Sequence, residues 1–391
     1  MNAIIAQCGG PTPVINATLA AVIGEWQARD SGDLYGSRHG FEGLLASDWV
    51  DLTWLNEETR AQLSHQPGAA LGGSRFRPSD EDFSRMIANL RAADIGAVFL
   101  VGGNGTMAGA QKLAAEAEAR GLALQVIGIP KTIDNDLAGC DVTPGYGSAA
   151  RYVAYTTQEI GLDLRAMRGF DQVAVVEVMG RHVGWVAAAT ALARQQGGDP
   201  PHLILLPEAP VEIEQVLARI AEVYAERGLC AVVVAEGVRE RSGAYWAELV
   251  DGAAYDGSGQ RVFSMSAGAS AFLVREVQNR LGLRCRQIKL NTAQRATRLL
   301  ASPVDRMLAQ MVGTAAVEAW AVGASGVLPV LVHEDGTWET SLVEIGAAIG
   351  RERTLPAAFV DGPNYDVTEK CRRYIAQVTG EAPPEPIIWI K

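Results

Sequence analysis

Residues 126–137, VIGIPKTIDNDL, end an apolar run at a proline and then place Lys131, Thr132, Asp134, Asn135 and Asp136 within six positions. A cation, a hydroxyl and two carboxylates directly after a buried strand cost desolvation and mutual repulsion, which marks a candidate site for chemistry. If Asp134 and Asp136 meet at a strand end, one can take a proton from a hydroxyl while the other helps to hold a metal. An aspartate base so placed contributes roughly 10² to 10⁴ in rate. Lys131 would neutralise phosphate charge. The plainer alternative is a polar loop capping a helix, but a cap needs one such residue rather than four.

Other strand ends carry glycine clusters that suit phosphate binding or, alternatively, a tight strand-to-helix turn with nothing bound. VGGNGT (101–106) follows an apolar run and opens a helix-like segment. Its glycines allow close backbone approach to phosphate oxygens, and a helix N-terminus favours anions. A dinucleotide reading of GNGTMAG fails because the next strand, LQVIGIP, ends in proline where a ribose-binding acid is needed. CGGP (8–11) is a second glycine turn, and GGSRFRP (72–78) sets Arg75 and Arg77 beside glycines. VEVMGRHVGW puts Arg181 after another strand, where a guanidinium can bridge phosphates. His182 beside it has no orienting partner in view and is taken as a packed or surface imidazole. Glu236 ends VVVAEG, and RCRQIKLNTAQRA carries Arg284, Arg286, Lys289 and Arg295 on an otherwise acidic chain. Its alternation fits a strand presenting cations to one anion, against the plainer reading of a solvated face.

The elements that must position these residues are short runs of Val, Ile and Leu alternating with helix-like segments: AIIAQ, IGAVFLV, LQVIGIP, QVAVVEV, HLILLP and CAVVVAEG. Continuous apolar strands fit parallel sheets covered on both faces, so the expected class is α/β, doubly wound, in two domains. Ligands in that class sit at the carboxyl ends of strands, where every polar cluster named above falls. The 391 residues suffice for two cores. The expected boundaries give a phosphoryl-donor domain at 1–145 plus about 296–345, a sugar-phosphate domain at 146–295, and an extension at 346–391. The stretch 251–260, DGAAYDGSGQ, reads as a loop or surface hairpin, and the proline-punctuated tail as a surface segment.

A net charge of −11 argues against a general nucleic-acid binder. Cys8, Cys140, Cys230, Cys285 and Cys371 are scattered without a CxxC pair, which points to reduced thiols. No signal peptide is evident, and no stretch approaches the roughly 20 apolar residues of a membrane span, so a cytoplasmic protein is expected.

Taken together, GGPTPVIN, GGNGT, PKTIDND, VVEVMGRHVGW and QRA resemble the phosphofructokinase family in order and approximate spacing, from the first glycine turn to about residue 320. The resemblance implies phosphoryl transfer to the 1-hydroxyl of fructose 6-phosphate, with Mg²⁺, in a dimeric or tetrameric homo-oligomer. It implies Asp134 as the general base, Asp136 as metal support, Thr132 on the sugar phosphate or transferring group, and Arg181 on the transferred phosphoryl group. Met179, Gly180 and Glu236 would contact the sugar. Arg295 would bind the 6-phosphate, joined by Arg286 from a neighbouring subunit. Gly9, Gly10, Arg75, Gly102, Gly103, Asn104, Gly105 and Thr106 match the donor-phosphate loops.

The departures bear on regulation and on the donor. Asn104 stands where the family usually has an acidic metal contact, and Thr292 replaces a histidine of the sugar-phosphate pocket. Gln172 replaces an arginine that reaches across the interface, and Ala20 and Gly24 replace two effector-binding arginines. Gly105 leaves space for the α-phosphate of ATP, whereas Lys131 resembles the pyrophosphate-dependent type. ATP is the expected donor, with pyrophosphate the alternative. The rivals from other classes are another kinase with a GGNGT-like loop and a non-catalytic sugar-phosphate sensor. The first leaves the basic stretch unexplained, and the second would have lost its base.

Overall fold

The computed structural model describes residues 1–252, 255 and 267–388, so most of the expected loop or hairpin at 251–260 lies outside the described residues. The chain first forms β1 (Asn2–Gln7), β2 (Leu34–Ser37), β3 (Trp49–Asp51), β4 (Ile95–Gly102) and β5 (Gln125–Pro130). It continues through β6 (Val173–Val178), β7 (Leu203–Leu205), β8 (Cys230–Ala235) and β9 (Cys285–Lys289), then β10 (Val327–Glu334) and β11 (Thr337–Glu344).

Two compact units divide these strands. The first holds Met1–Ser148 and Arg295–Arg353, and the second Ala149–Gln294 and Thr354–Lys391. Arg295 therefore falls in the first unit, and residues 346–391, expected as a separate extension, are shared between the two.

The first unit contains a seven-stranded sheet ordered β11-β10-β5-β4-β1-β2-β3. Its central pairs are parallel, with antiparallel strands at both edges. In β1 and β4 nearly every residue is buried, because helices cover both faces. Phe99, Val98 and Leu100 of β4 are fully buried, and burial of each such side chain stabilises by roughly 1.5–3 kcal/mol. The chain order jumps from β1 to β4 beside it, so the carboxyl ends of β1, β4 and β5 lie next to one another. Those three ends carry CGGP, GGNGT and PKTIDND.

The second unit contains a four-stranded parallel sheet ordered β7-β8-β6-β9. β6 and β8 are buried along their whole length, whereas β9 is a half-exposed edge. The tail follows the helix surface of this unit, where Tyr155 Oη donates to the carbonyl of Ala382 at 3.1 Å and Gln158 Nε2 to that of Pro384 at 2.8 Å. No helix among the described residues is long and apolar enough to cross a membrane.

Candidate active site

In the PKTIDND segment that follows β5, burial alternates from residue to residue. Lys131, Ile133, Asn135 and Leu137 are buried, while Thr132, Asp134 and Asp136 are part-exposed. The Lys131 amide donates to the Gly102 carbonyl at 3.0 Å and continues the β4–β5 ladder by one residue. Thr132 Oγ1 accepts from the Asp134 amide at 3.1 Å. Asn135 has a left-handed backbone (φ 55°), and its Oδ1 accepts from the Thr143 amide at 3.0 Å, closing the loop.

Asp136 is a strongly perturbed acid. Burial, and then the charge of Asp134, push its carboxyl up to about 7. Its Oδ2 accepts from Asn104 Nδ2 at 2.9 Å, which joins the GGNGT helix to PKTIDND. Two residues with no visible sequence signal complete the surroundings. Arg353 donates its amide to the Asp136 carbonyl at 2.8 Å and its guanidinium to the Asn135 carbonyl at 3.2 Å. Glu352 adds a further charge that raises the Asp136 carboxyl. Both come from the far end of the unit, where motif reading has no reason to look.

The GGNGT loop opens the helix Asn104–Ala119, whose first turn has no side-chain cap. A Cβ at Gly102 would fall 2.1 Å from Thr106 Oγ1, so only glycine permits this strand-to-helix turn. Thr106 and Met107 donate to the Gly103 carbonyl at 2.9 and 3.0 Å. Gly105 is exposed, and among the described residues a Cβ there would meet no heavy atom within 4 Å.

The turn after β1 lies across Lys131. Its Nζ donates to the carbonyls of Cys8 at 2.9 Å and Gly10 at 2.6 Å. Burial lowers the ammonium pKa to about 8, partly offset by Cys8, Asp134 and Asp136 and reinforced by Arg295. The Gly9 amide donates to the Ser74 carbonyl at 2.9 Å, which docks the GGSR loop and its Arg75 on this turn. A cleft of about 250 Å³ opens there, lined by Gly9, Gly10, Gly73, Ser74, Arg75 and Arg295 among others.

The second unit forms its own cluster. Met179, Gly180 and Arg181 follow β6, and Glu236 follows β8 beside them. The Glu236 amide donates to Val178 at 3.0 Å and the Gly237 amide to Gly180 at 3.1 Å, so the two strand ends are stitched together. The Met179 amide donates to Gln294 Oε1 at 3.1 Å. Gly180 adopts φ 142°, outside the range of most side chains. His182 is exposed, the surface one of the two alternatives the sequence left open.

The basic stretch does not converge on one anion. Arg286 pairs with Asp171, and Arg284 stacks on Phe170 at 5.4 Å. Lys289 pairs at 3.2 Å with the buried Glu177, which also accepts from Ser270. Strand period two explains the split: Arg284 and Arg286 share one face, and Lys289 faces the other. Thr292 is exposed in a short helical turn, and Gln172 accepts from the Arg284 amide at 2.9 Å within its own unit.

The residues present fit a divalent cation. Asn104 Oδ1 is buried and has no hydrogen-bond partner among the described residues, and the Asp136 carboxyl lies beside it, accepting from Asn104 Nδ2. Among the described residues no group of three or more His, Cys, Asp or Glu side chains could hold a metal alone. A cation here would take its remaining oxygen ligands from phosphate and water, the habit of Mg²⁺.

Comparison with known proteins gives the family. Residues 2–320 match the family model described as Phosphofructokinase. The chain is 37% identical over 392 residues to a pyrophosphate–fructose 6-phosphate 1-phosphotransferase of Xanthomonas campestris, covering 98% of this chain and 92% of that one. It is 30% identical over 355 residues to ATP-dependent 6-phosphofructokinase 3 of Streptomyces coelicolor, covering 90% and 95%. The crystal structure of a pyrophosphate-dependent phosphofructokinase from Marinobacter aquaeolei superposes with a TM-score of 0.87 at 32% identity, over 100% of this chain and 94% of that one. The chain is a phosphotransferase and belongs to the phosphofructokinase family.

Proposed function

We propose that this phosphotransferase moves a phosphoryl group from inorganic pyrophosphate to the 1-hydroxyl of fructose 6-phosphate, giving fructose 1,6-bisphosphate and phosphate. The observation that carries the donor assignment is Lys131, a buried ammonium 2.6 Å from the Gly10 carbonyl beneath the glycine turn. A departing inorganic phosphate has no nucleoside to anchor it and gains most from a fixed cation in a low-dielectric site. The greater similarity to a relative named for pyrophosphate, 37% against 30% for one named for ATP, supports the same donor. The sequence reading favoured ATP because Gly105 leaves room for a nucleotide; glycine admits that ligand without selecting it.

Asp134 is the base in this reading. As the sugar oxygen bonds to phosphorus and the bridging P–O bond of the donor breaks, Asp134 takes the hydroxyl proton. Arg181 balances charge on the transferring group, and Thr132 orients it. Glycine-turn amides and Arg75 hold the donor. When bound, Mg²⁺ would lie at Asn104 and Asp136 and neutralise phosphate charge there.

ATP remains the second reading, favoured by the open space at Gly105. Initial rates with fructose 6-phosphate and either pyrophosphate or ATP, side by side, decide between them. A kcat/KM for ATP above that for pyrophosphate overturns the donor assignment.

A further inference from the structure

Residues 142–148 are buried without a break, although only the last three are helical. Backbone amides in such a segment need partners, because an unpaired buried N–H costs as much as a lost hydrogen bond. A side chain from far along the chain supplies them. Asp305 Oδ1 accepts from the Gly145 amide and Oδ2 from the Ser148 amide, both at 2.9 Å, and Oδ2 also accepts from Ser148 Oγ at 2.6 Å. Asp305 lies in the first turn of the helix Pro303–Ala321, which Ser302 caps. The Ser302 amide in turn donates to Ser148 Oγ at 3.0 Å, so the two helix starts are locked together. A neutral cap would satisfy one amide without burying a charge. The carboxylate adds a two-oxygen grip that fixes Gly145 and Ser148 relative to each other.

The gripped segment holds PKTIDND. Thr132 and Gly145 pair as a parallel bridge, and the Thr132 amide donates to the Pro144 carbonyl at 3.2 Å. Thr143 Oγ1 donates to the Thr132 carbonyl, and the Thr143 amide to Asn135 Oδ1, both at 3.0 Å. Thr132 Oγ1 accepts from the Asp134 amide at 3.1 Å. Gly145 has no slack on its other side, since at φ 112° a Cβ there would fall 2.6 Å from Thr12 Cγ2. A continuous path of backbone contacts thus runs from Asp305 through Gly145 and Thr132 to Asp134. From it we propose that Asp305 is a positioning residue for phosphoryl transfer, which sets the backbone of residues 132–134 and so the direction of the Asp134 carboxyl. The proposal rests on the reading of Asp134 as the base and extends it to a residue outside the site.

Asp305→Asn keeps the shape but offers one acceptor oxygen, so one of the two amides loses its partner. Amide exchange read by mass spectrometry should be at least about tenfold faster over residues 132–136 and 143–148, with the β4 segment unchanged. Unchanged exchange over 132–136 overturns the proposal, whatever the base is. The kcat per sugar-binding site should fall by at least about tenfold, the scale of a misplaced reacting group, with the dissociation constant for fructose 6-phosphate within about twofold of wild type. In the Asp134→Ser background the same substitution should cost about a third of that factor or less, because no carboxylate is left to misplace. A larger loss there marks a structural defect acting on both backgrounds alike and overturns the proposal. If Asp305→Asn does not fold by circular dichroism, Ser148→Ala, which removes one of the three donors, decides by the same two criteria with effects of about threefold. Failure of the base reading looks different: Asp134→Ser alone would turn over at a near-normal rate. Exchange and the kcat of Asp305→Asn would then decide the role of Asp305 by themselves.

Discussion

Lys131 Nζ donates to the Gly10 carbonyl at 2.6 Å and to the Cys8 carbonyl at 2.9 Å, so a side chain from the end of β5 props up the turn that follows β1. An ammonium has three donors, and two are spent on this turn. Lys131 is therefore both a structural strut and a source of positive potential beneath the cleft. Its pKa of about 8, lowered chiefly by burial, lies within the working range of an enzyme.

That value predicts a pH dependence. Below about pH 8 Lys131 carries its charge, and above it the charge is lost and the donor phosphate loses its cation. The kcat/KM for pyrophosphate should fall as pH rises through about 8, since this parameter reports the free enzyme. In Lys131→Met the limb should vanish and the value at neutral pH should drop by roughly tenfold or more. A wild-type profile that stays flat well above pH 8 contradicts the prediction.

Asp134→Ser should lower turnover by at least ~10² while leaving the dissociation constant for fructose 6-phosphate within a few-fold of wild type. Serine can still accept a hydrogen bond near Thr132 but cannot take the proton. Rapid-quench turnover together with equilibrium sugar binding gives both numbers. Near-normal turnover removes Asp134 as the base.

Gly105→Asp should suppress ATP use and spare pyrophosphate use. The position has room for the side chain, so stability should change by no more than about 0.5 kcal/mol, the range of ordinary surface substitutions. The new carboxylate would occupy and charge the space a nucleotide's inner phosphate needs. Donor-competition assays of the variant show whether ATP still competes.

Asp305 should be a stability determinant. It is fully buried, and burial raises its pKa against the hydrogen bonds that hold it down. Its carboxylate accepts from the amides of Gly145 and Ser148, both at 2.9 Å, and from Ser148 Oγ at 2.6 Å. Asp305→Ala strands these donors and should cost about 3 kcal/mol in urea unfolding of the first cooperative transition. A loss under about 1 kcal/mol means that water replaces the carboxylate.

The apolar runs that form the inner strands were legible because a strand buried on both faces has no choice but continuous Val, Ile and Leu. β2 and β3 were not, since four and three residues carry too little pattern. The β10–β11 hairpin also went unread, although its turn has the Asp335–Gly336 pair with both residues at positive φ, a strong hairpin signal. In the site, Asn104 and Asp136 were named separately, but their hydrogen bond follows from β4 and β5 being neighbours in the sheet. Arg353 escaped notice because its contacts to Asn135 and Asp136 are to backbone carbonyls, which leave no mark on side-chain motifs.

In PKTIDND burial alternates: Lys131 and Asn135 are buried, and Thr132, Asp134 and Asp136 are part-exposed. The residue types in this stretch, a cation, a hydroxyl and two carboxylates behind an apolar strand, set the chemical class of the site. What only the tertiary structure decided is the company these residues keep. Sheet order brings Lys131 under Gly10, and the return of the chain lays Arg295 on the same turn. Such contacts depend on which strands become neighbours, and an apolar run that encodes a buried strand does not encode the strand beside it.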